Sequence, residues 1–280
     1  MTDSQSLPCR PTPSGRGGSA DHLNRLTTIR SPINYYGGKQ NMAKTITAMI
    51  PEHKVYVEPF CGGAAVFWDK KKSDVEVLCD LDFDLINFYK CIKYYQTELS
   101  CMINNIEYNK KTLRNAFNLL RYPFNPDTIN IMRAALYWYC QNGSFNAAFT
   151  PGDPIDAYNK REWINQTHKD RLQDVHIYCA NAFDIISAYD SPDTLFYVDP
   201  PYFNSHQNYF VNFSASDYKK ILCVLANIRG KFILSGYPSH LLKNYSKIFK
   251  WKTEHKVMRL TSALANGNIR NKVEELTWNF

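Results

Sequence analysis

Asp199-Pro200-Pro201-Tyr202 is the stretch whose residue types and spacing bear most directly on chemistry. The four residues before it, Leu-Phe-Tyr-Val, form a short apolar run rich in aromatic and β-branched side chains, as expected of a buried strand. Two consecutive prolines stop that strand, because each fixes φ and lacks the N–H a ladder needs. Asp199 is therefore expected where a strand ends and a loop begins, and in open α/β sheets ligands bind at the carboxyl ends of strands. The stiff loop presents acceptors, the Asp199 carboxylate and the Pro200 carbonyl, with no N–H of its own to satisfy them. An exocyclic amino group on a nucleobase is a poor nucleophile because its lone pair is delocalised into the ring. Two acceptors gripping its two hydrogens draw that pair out of conjugation. Tyr202 then offers a ring to stack on a base that has been taken out of the duplex. The plain alternative is a strand-to-loop turn, since Asp and Pro are common turn residues. With Pro near 5% of residues, a chance match to all four positions is about one in a thousand, which favours chemistry.

Three further segments have to be brought to that loop. Tyr35-Tyr36-Gly37-Gly38-Lys39 precedes a helical pattern over 42–50. It lacks the phosphate-loop spacing, so it reads as a loop closely approached by another ligand, with the glycines giving access and Lys39 a donor. Residues 55–68 run from an apolar strand through Glu58-Pro59-Phe60-Cys61-Gly62-Gly63 into a helix pattern, the opening of a nucleotide-binding α/β unit. A second strand over 75–79 ends at Asp80-Leu81-Asp82, about twenty residues on, where an acidic side chain suits ribose hydroxyls. The glycine spacing is wrong for a pyrophosphate, and Glu58 repels one. An uncharged adenosine carrying an amino-acid tail fits better, and S-adenosylmethionine is such a molecule.

The 280 residues carry a net charge of +7. The surplus is local: residues 203–280 hold twelve Lys and Arg against four Asp and Glu, so a polyanion is the natural partner. No run of 18 apolar residues is present, which argues against a membrane span. Eight cysteines are scattered with no C-x-x-C pair and no zinc-ligand spacing, so free thiols in a reducing compartment, no metal and no structural disulfide are expected.

Residues 1–28, rich in Pro, Gly, Ser and Thr without periodicity, are expected to be a disordered tail. Between 86 and 172 the strand signal fades into helical runs over 85–93, 112–120 and 129–139. Aromatics there, among them Tyr94, Tyr95, Tyr122, Phe124, Trp138, Phe145 and Phe149, interleave with Lys110, Lys111, Arg114, Arg121 and Arg133. Rings and cations so mixed suit base stacking and phosphate contact, although many must be ordinary helix core. A strand follows over 176–179, then a helix over 216–228, a strand over 231–235, a helix over 241–249 and a closing hairpin over 252–260 and 273–280, its polar loop holding Asn266, Asn268 and Arg270.

Taken together, Tyr35-Tyr36-Gly37-Gly38-Lys39, Glu58-Pro59-Phe60-Cys61-Gly62-Gly63, Cys79-Asp80-Leu81-Asp82 and Asp199-Pro200-Pro201-Tyr202 resemble, in order, the motifs of the Dam-like (D12 class) DNA adenine-N6 methyltransferases. Weaker support comes from Gly143-Ser144-Phe145-Asn146, from residues 230–235 and from residues 273–279. The resemblance implies an α/β fold, a Rossmann-like S-adenosylmethionine-dependent methyltransferase sheet with an inserted, mostly helical recognition domain. It divides the chain into a catalytic domain, 29–85 with 173–280, and a DNA target-recognition insert, 86–172. It implies S-adenosylmethionine as methyl donor without a metal, double-stranded DNA as partner, no membrane, and an intracellular setting in a bacterial or phage-infected cell. On its motifs the donor site comprises Tyr35, Gly37, Gly38, Lys39, Glu58, Phe60, Gly62, Asp80, Phe183 and Asp199. Asp199, Pro200, Pro201 and Tyr202 handle the target base.

The sequence departs from that family at Ala182, where an acidic residue usually precedes the aromatic, with Asn181 and Asp184 as possible substitutes. It departs also at Tyr35, where Trp is frequent, and at Phe149-Thr150. The implied activity is site-specific methylation of adenine N6 in DNA, as in restriction-modification. The alternatives are an RNA or N4-cytosine methyltransferase, a catalytically impaired nucleic-acid-binding protein on the same fold and, more distantly, a dinucleotide-dependent oxidoreductase.

Overall fold

A computed structural model describes residues 29–122, 124–125, 128–143, 164–202, 213–259 and 271–280. Seven strands form one sheet in the order β3-β2-β1-β4-β5-β7-β6: β1 (Val55–Glu58), β2 (Val75–Asp80), β3 (His176–Cys179), β4 (Thr194–Val198), β5 (Lys231–Gly236), β6 (Lys252–Arg259) and β7 (Asn271–Trp278). The first five are mutually parallel, and β7 enters antiparallel between β5 and β6. This is a Rossmann-like α/β sheet with an antiparallel hairpin at one edge. The chain reverses its direction of travel across the sheet between β1 and β4, and that switch point opens a crevice at the strands' carboxyl ends.

Period-two alternation sends neighbouring residues of each central strand into opposite apolar layers. Tyr56, Leu78, Leu195, Tyr197, Ile233 and Leu276 face one layer, and Val57, Val77, Cys79, Phe196, Val198, Phe232 and Leu234 face the other. The first layer is covered by α1 (Ala43–Met49), α2 (Ala65–Asp69), α3 (Phe83–Asn105), α4 (Lys110–Leu120), α5 (Ile131–Gly143) and α6 (Gln166–Leu172). The second is covered by α7 (Ala182–Tyr189), α8 (Ala215–Leu225) and α9 (His240–Phe249). No helix among the described residues is long and apolar enough to cross a membrane.

The helical segment shares its core with the sheet. Residue 86, where the insert was expected to begin, lies in the first turn of α3, and α4 adds Leu113, Ala116, Phe117 and Leu120 to the same layer. Two assignments there need correcting. Arg133 is not held out for phosphate: its guanidinium is paired with Asp84 (Nη2 to Oδ2, 2.9 Å) and donates to the Leu120 carbonyl, locking α3, α4 and α5 together. Trp138 is fully buried, and its ring N–H donates to the Pro32 carbonyl at 2.9 Å. Lys111, Arg114, Arg121, Tyr94, Tyr95 and Tyr122 are exposed or nearly so. The expected tail, Phe145, Phe149, Thr150 and the Asn266–Arg270 loop residues lie outside the described residues.

Cys61, Cys79, Cys91, Cys140, Cys179 and Cys223 are free thiols, but Cys101 is disulfide-bonded, contrary to the expectation that no cysteine would be.

Near the start of β2 the Glu76 carboxylate is buried between Lys70 (2.5 Å) and Arg171, whose guanidinium also donates to the Phe67 carbonyl at 2.9 Å. Removing one member of such a set strands charge in a dry interior, costing about 3–5 kcal/mol. Glu76→Gln is accordingly expected to lower the free energy of unfolding by roughly that amount in a denaturant titration. An unchanged midpoint would contradict this.

Candidate active site

The crevice at the switch point is lined by the loops after β1, β2 and β4 and by the segment ahead of α1. That segment is a tight turn: Gly38 N–H donates to the Tyr35 carbonyl at 3.0 Å, and Gly37 has φ of 72°. A left-handed residue at the third position of a turn is what glycine supplies without strain. The turn sends Lys39 into the crevice, where it is 5% exposed. Its ammonium holds both oxygens of Asp199, at 2.9 and 2.8 Å, and donates to the Gly37 carbonyl at 3.1 Å.

Asp199 directly follows β4, as expected, and lies 160 residues from Lys39 in sequence. Burial pushes its carboxyl above the usual range, Lys39 pulls it back and Glu274 pushes it up again. Pro200 is buried and Pro201 half-buried behind it. The Tyr202 hydroxyl reaches back to Asp199 at 3.0 Å and across to Glu274 on β7 at 2.9 Å. The Tyr202 ring is 8% exposed and packs against Tyr237, with centroids 4.4 Å apart.

On the β1 side the ring of Tyr35 lies on the glycine turn. A Cβ added at Gly62, where φ is +45°, would come within 2.8 Å of that ring, and one at Gly63 within 2.9 Å of the Tyr35 Cβ. Gly62 N–H donates to Asp80 at 3.0 Å, and its carbonyl accepts from the Tyr89 hydroxyl at 2.7 Å. Asp80 ends β2, and its other oxygen accepts from Asp82 N–H at 3.1 Å. Asp82 caps α3 and accepts from the Tyr137 hydroxyl at 2.8 Å. Burial raises both carboxyls, Asp80 above its usual range and Asp82 to about 7, where the neighbouring Asp80 charge adds to the shift. Neither makes an ion pair with a described residue.

Three expected donor-site residues lie at the crevice's margins. Glu58 is buried beneath the loop, where one oxygen accepts from the Tyr56 hydroxyl (2.7 Å) and from Phe67 N–H at the head of α2 (2.8 Å). Phe60 meets Phe213 edge-on and, like Phe183, packs at the rim of the second apolar layer. Beside Phe183, Ala182 is buried, Asn181 spends its side-chain oxygen capping Phe183 N–H at 2.9 Å, and Asp184 is exposed in the first turn of α7.

Several residues of this site escaped the sequence reading: Glu274, Tyr237, Tyr89 and Tyr137. Glu274 had a signal. It shares the parity of Leu276 and Trp278 on β7, so a carboxylate falls at a core-facing position of an interior strand. The expected Gly143-Ser144-Phe145-Asn146 support lies outside the described residues beyond Gly143.

Comparison with known proteins bears on the same residues. The profile described as D12 class N6 adenine-specific DNA methyltransferase matches residues 35–260, most of the chain. A DNA adenine methylase of Salmonella typhi is 25% identical over 266 residues, covering 88% of this chain and 94% of that protein. One from Vibrio cholerae is 26% identical over 272 residues with the same coverages. A DNA N-6-adenine-methyltransferase of Escherichia phage P1 is 28% identical over 207 residues, 68% of this chain and 26% of that protein.

Burial raises Glu58 to about 8, against an ordinary value of 4.5. The folded state therefore holds a proton that the unfolded chain has released between those values, so this group makes stability fall as pH rises from 4.5 to 8. Glu58→Gln is expected to flatten that part of the stability profile, measured by denaturant unfolding at several pH values. An identical slope in the variant would contradict the shift.

Proposed function

Since the chain belongs to the D12 class N6 adenine-specific DNA methyltransferases and is a site-specific DNA adenine methyltransferase, we propose that its methyl donor is S-adenosylmethionine and that transfer takes place beside Asp199 onto an extruded adenine. The observation that carries this is the Lys39–Asp199 pair at the carboxyl end of β4, which joins the turn of Tyr35 to the loop of Tyr202.

The chemistry of the crevice suits this donor. Two carboxyls without a lysine or arginine partner among the described residues, Asp80 and Asp82, sit at the end of β2, and Asp199 sits at the end of β4. Such a lining favours hydroxyls, an amine and a sulfonium over a pyrophosphate, which it would repel. When bound, the donor supplies an electrophilic methyl group. In this reading Asp80 accepts from the ribose hydroxyls, Tyr35 and the glycine turn shape the wall, and Phe60 and Phe183 border the base. Glu58 holds the loop from beneath by fixing the start of α2.

Asp199 and the Pro200 carbonyl accept the two N6 hydrogens of adenine, and Lys39 fixes the carboxylate for that task. The reaction is a direct displacement in which positioning and exclusion of water carry the rate. Reaching the crevice requires the adenine to leave its duplex, and the exposed Lys111 and Arg114 of α4 offer phosphate contacts. Double-stranded DNA is the proposed substrate, within a bacterial or phage-infected cell, and no metal takes part.

Asp199→Asn keeps the size of the side chain and loses the charge that holds the amine. It is expected to cut methylation of DNA by about 10³-fold with the fold retained, read by transfer of labelled methyl to DNA and, in parallel, to RNA. Substantial activity in the variant would remove Asp199 from its role. DNA binding without transfer by the native protein would instead favour the catalytically impaired alternative.

A further inference from the structure

The Tyr202 hydroxyl lies 3.0 Å from Asp199 Oδ1 and 2.9 Å from Glu274 Oε2. A phenol carries one proton and donates one hydrogen bond. Both contacts are satisfied together only when the unit holds one proton beyond the tyrosine's own, on one of the two carboxyls. Glu274 is 3% exposed, so bulk water is a poor source of that balance. We propose that Glu274 is the destination of the proton released by methyl transfer, reached from Asp199 through the Tyr202 hydroxyl.

Methyl transfer forms a carbon–nitrogen bond as the carbon–sulfur bond of the donor breaks, leaving N6 positively charged with one proton too many. Asp199, which accepts an N6 hydrogen, takes that proton. It then passes to the Tyr202 oxygen while the tyrosine's own proton passes to Glu274. Two O–H bonds form and two break, and the tyrosine is neutral before and after. Asp199 returns to its ion pair with Lys39, and the final arrangement satisfies both short contacts. The relay needs the three groups together to have room for that proton, so acid that fills the unit beforehand stops the reaction.

The groups facing this unit come from several elements. Lys39 approaches from the turn ahead of α1, Glu58 from β1, Tyr197 from β4, and Tyr237 from just beyond β5. Lys256 lies opposite Glu274 in the β6–β7 ladder, with its ammonium on Glu254 at 2.5 Å. Burial pushes the Asp199 carboxyl up first, Lys39 pulls it back, and the Glu274 charge beyond the Tyr202 hydroxyl pushes it up again.

The inference rests on Asp199 being the group that holds the amine, and the test separates the two. Single-turnover methylation of DNA is followed from roughly pH 5 to 9, the range in which such acid–base limbs appear, for the native protein, Glu274→Gln, Glu274→Asp and Asp199→Asn. Glu274→Gln gives the hydroxyl a neutral partner and no place for a second proton. Its plateau rate is expected to fall about 10²-fold, with the acidic limb moving to lower pH by about one unit. Glu274→Asp should keep the native limb. A purely structural glutamate would slow the reaction without moving the limb. With Asp199→Asn inactive, an unmoved limb in Glu274→Gln overturns the relay alone. An active Asp199→Asn overturns the relay together with the role of Asp199.

Discussion

The site depends on one ion pair. Lys39 and Asp199 lie 160 residues apart in sequence, and their contact joins the turn ahead of α1 to the loop after β4. Lys39 is nearly buried and the Asp199 side chain is 18% exposed, so each would be costly to leave alone. The pair is retained in a place where water is scarce and where a carboxylate held by a single ammonium keeps lone pairs for another donor. That is the requirement for gripping an amine.

Around this pair the structure spends other interactions on stiffness. Gly37 permits the turn that aims Lys39, and Ser31 ties that segment to the loop after β1 through the Gly63 carbonyl at 2.7 Å. Tyr89 and Tyr137 reach from α3 and α5 to Gly62 and Asp82, so helices expected to serve recognition also brace the loops after β1 and β2. Pro200 and Pro201 have no N–H to lose and fix the path from β4 to Tyr202. Buried carboxyls at Glu58, Asp80 and Asp82 all have raised proton affinities, because burial disfavours their charged forms.

Much of this was legible in the sequence because it rests on local rules. The apolar runs that became β1, β2, β4 and β5 carry their stop signals beside them, and β3 has the bounds expected of it. The helix α7 went unread because it is short and its cap, Asn181, sits only two residues after β3. Long-range pairing was the harder part. Nothing near Arg133 in sequence shows that Asp84 will claim it, and nothing near Trp138 shows that the Pro32 carbonyl lies within reach. Glu274 illustrates the middle case, since its strand parity was visible while its partner, Tyr202, lies 72 residues away.

The central claim is that Asp199, held by Lys39, is the point at which donor and target meet. A crystal structure of the protein with S-adenosylhomocysteine and a DNA duplex containing its recognition site tests that directly. The account predicts an adenine outside its helix, with N6 within about 3 Å of the Asp199 carboxylate and the sulfur on the Asp80 side of the crevice. An adenine still stacked in the duplex, or an N6 amine held by other residues with Asp199 turned away, would contradict it.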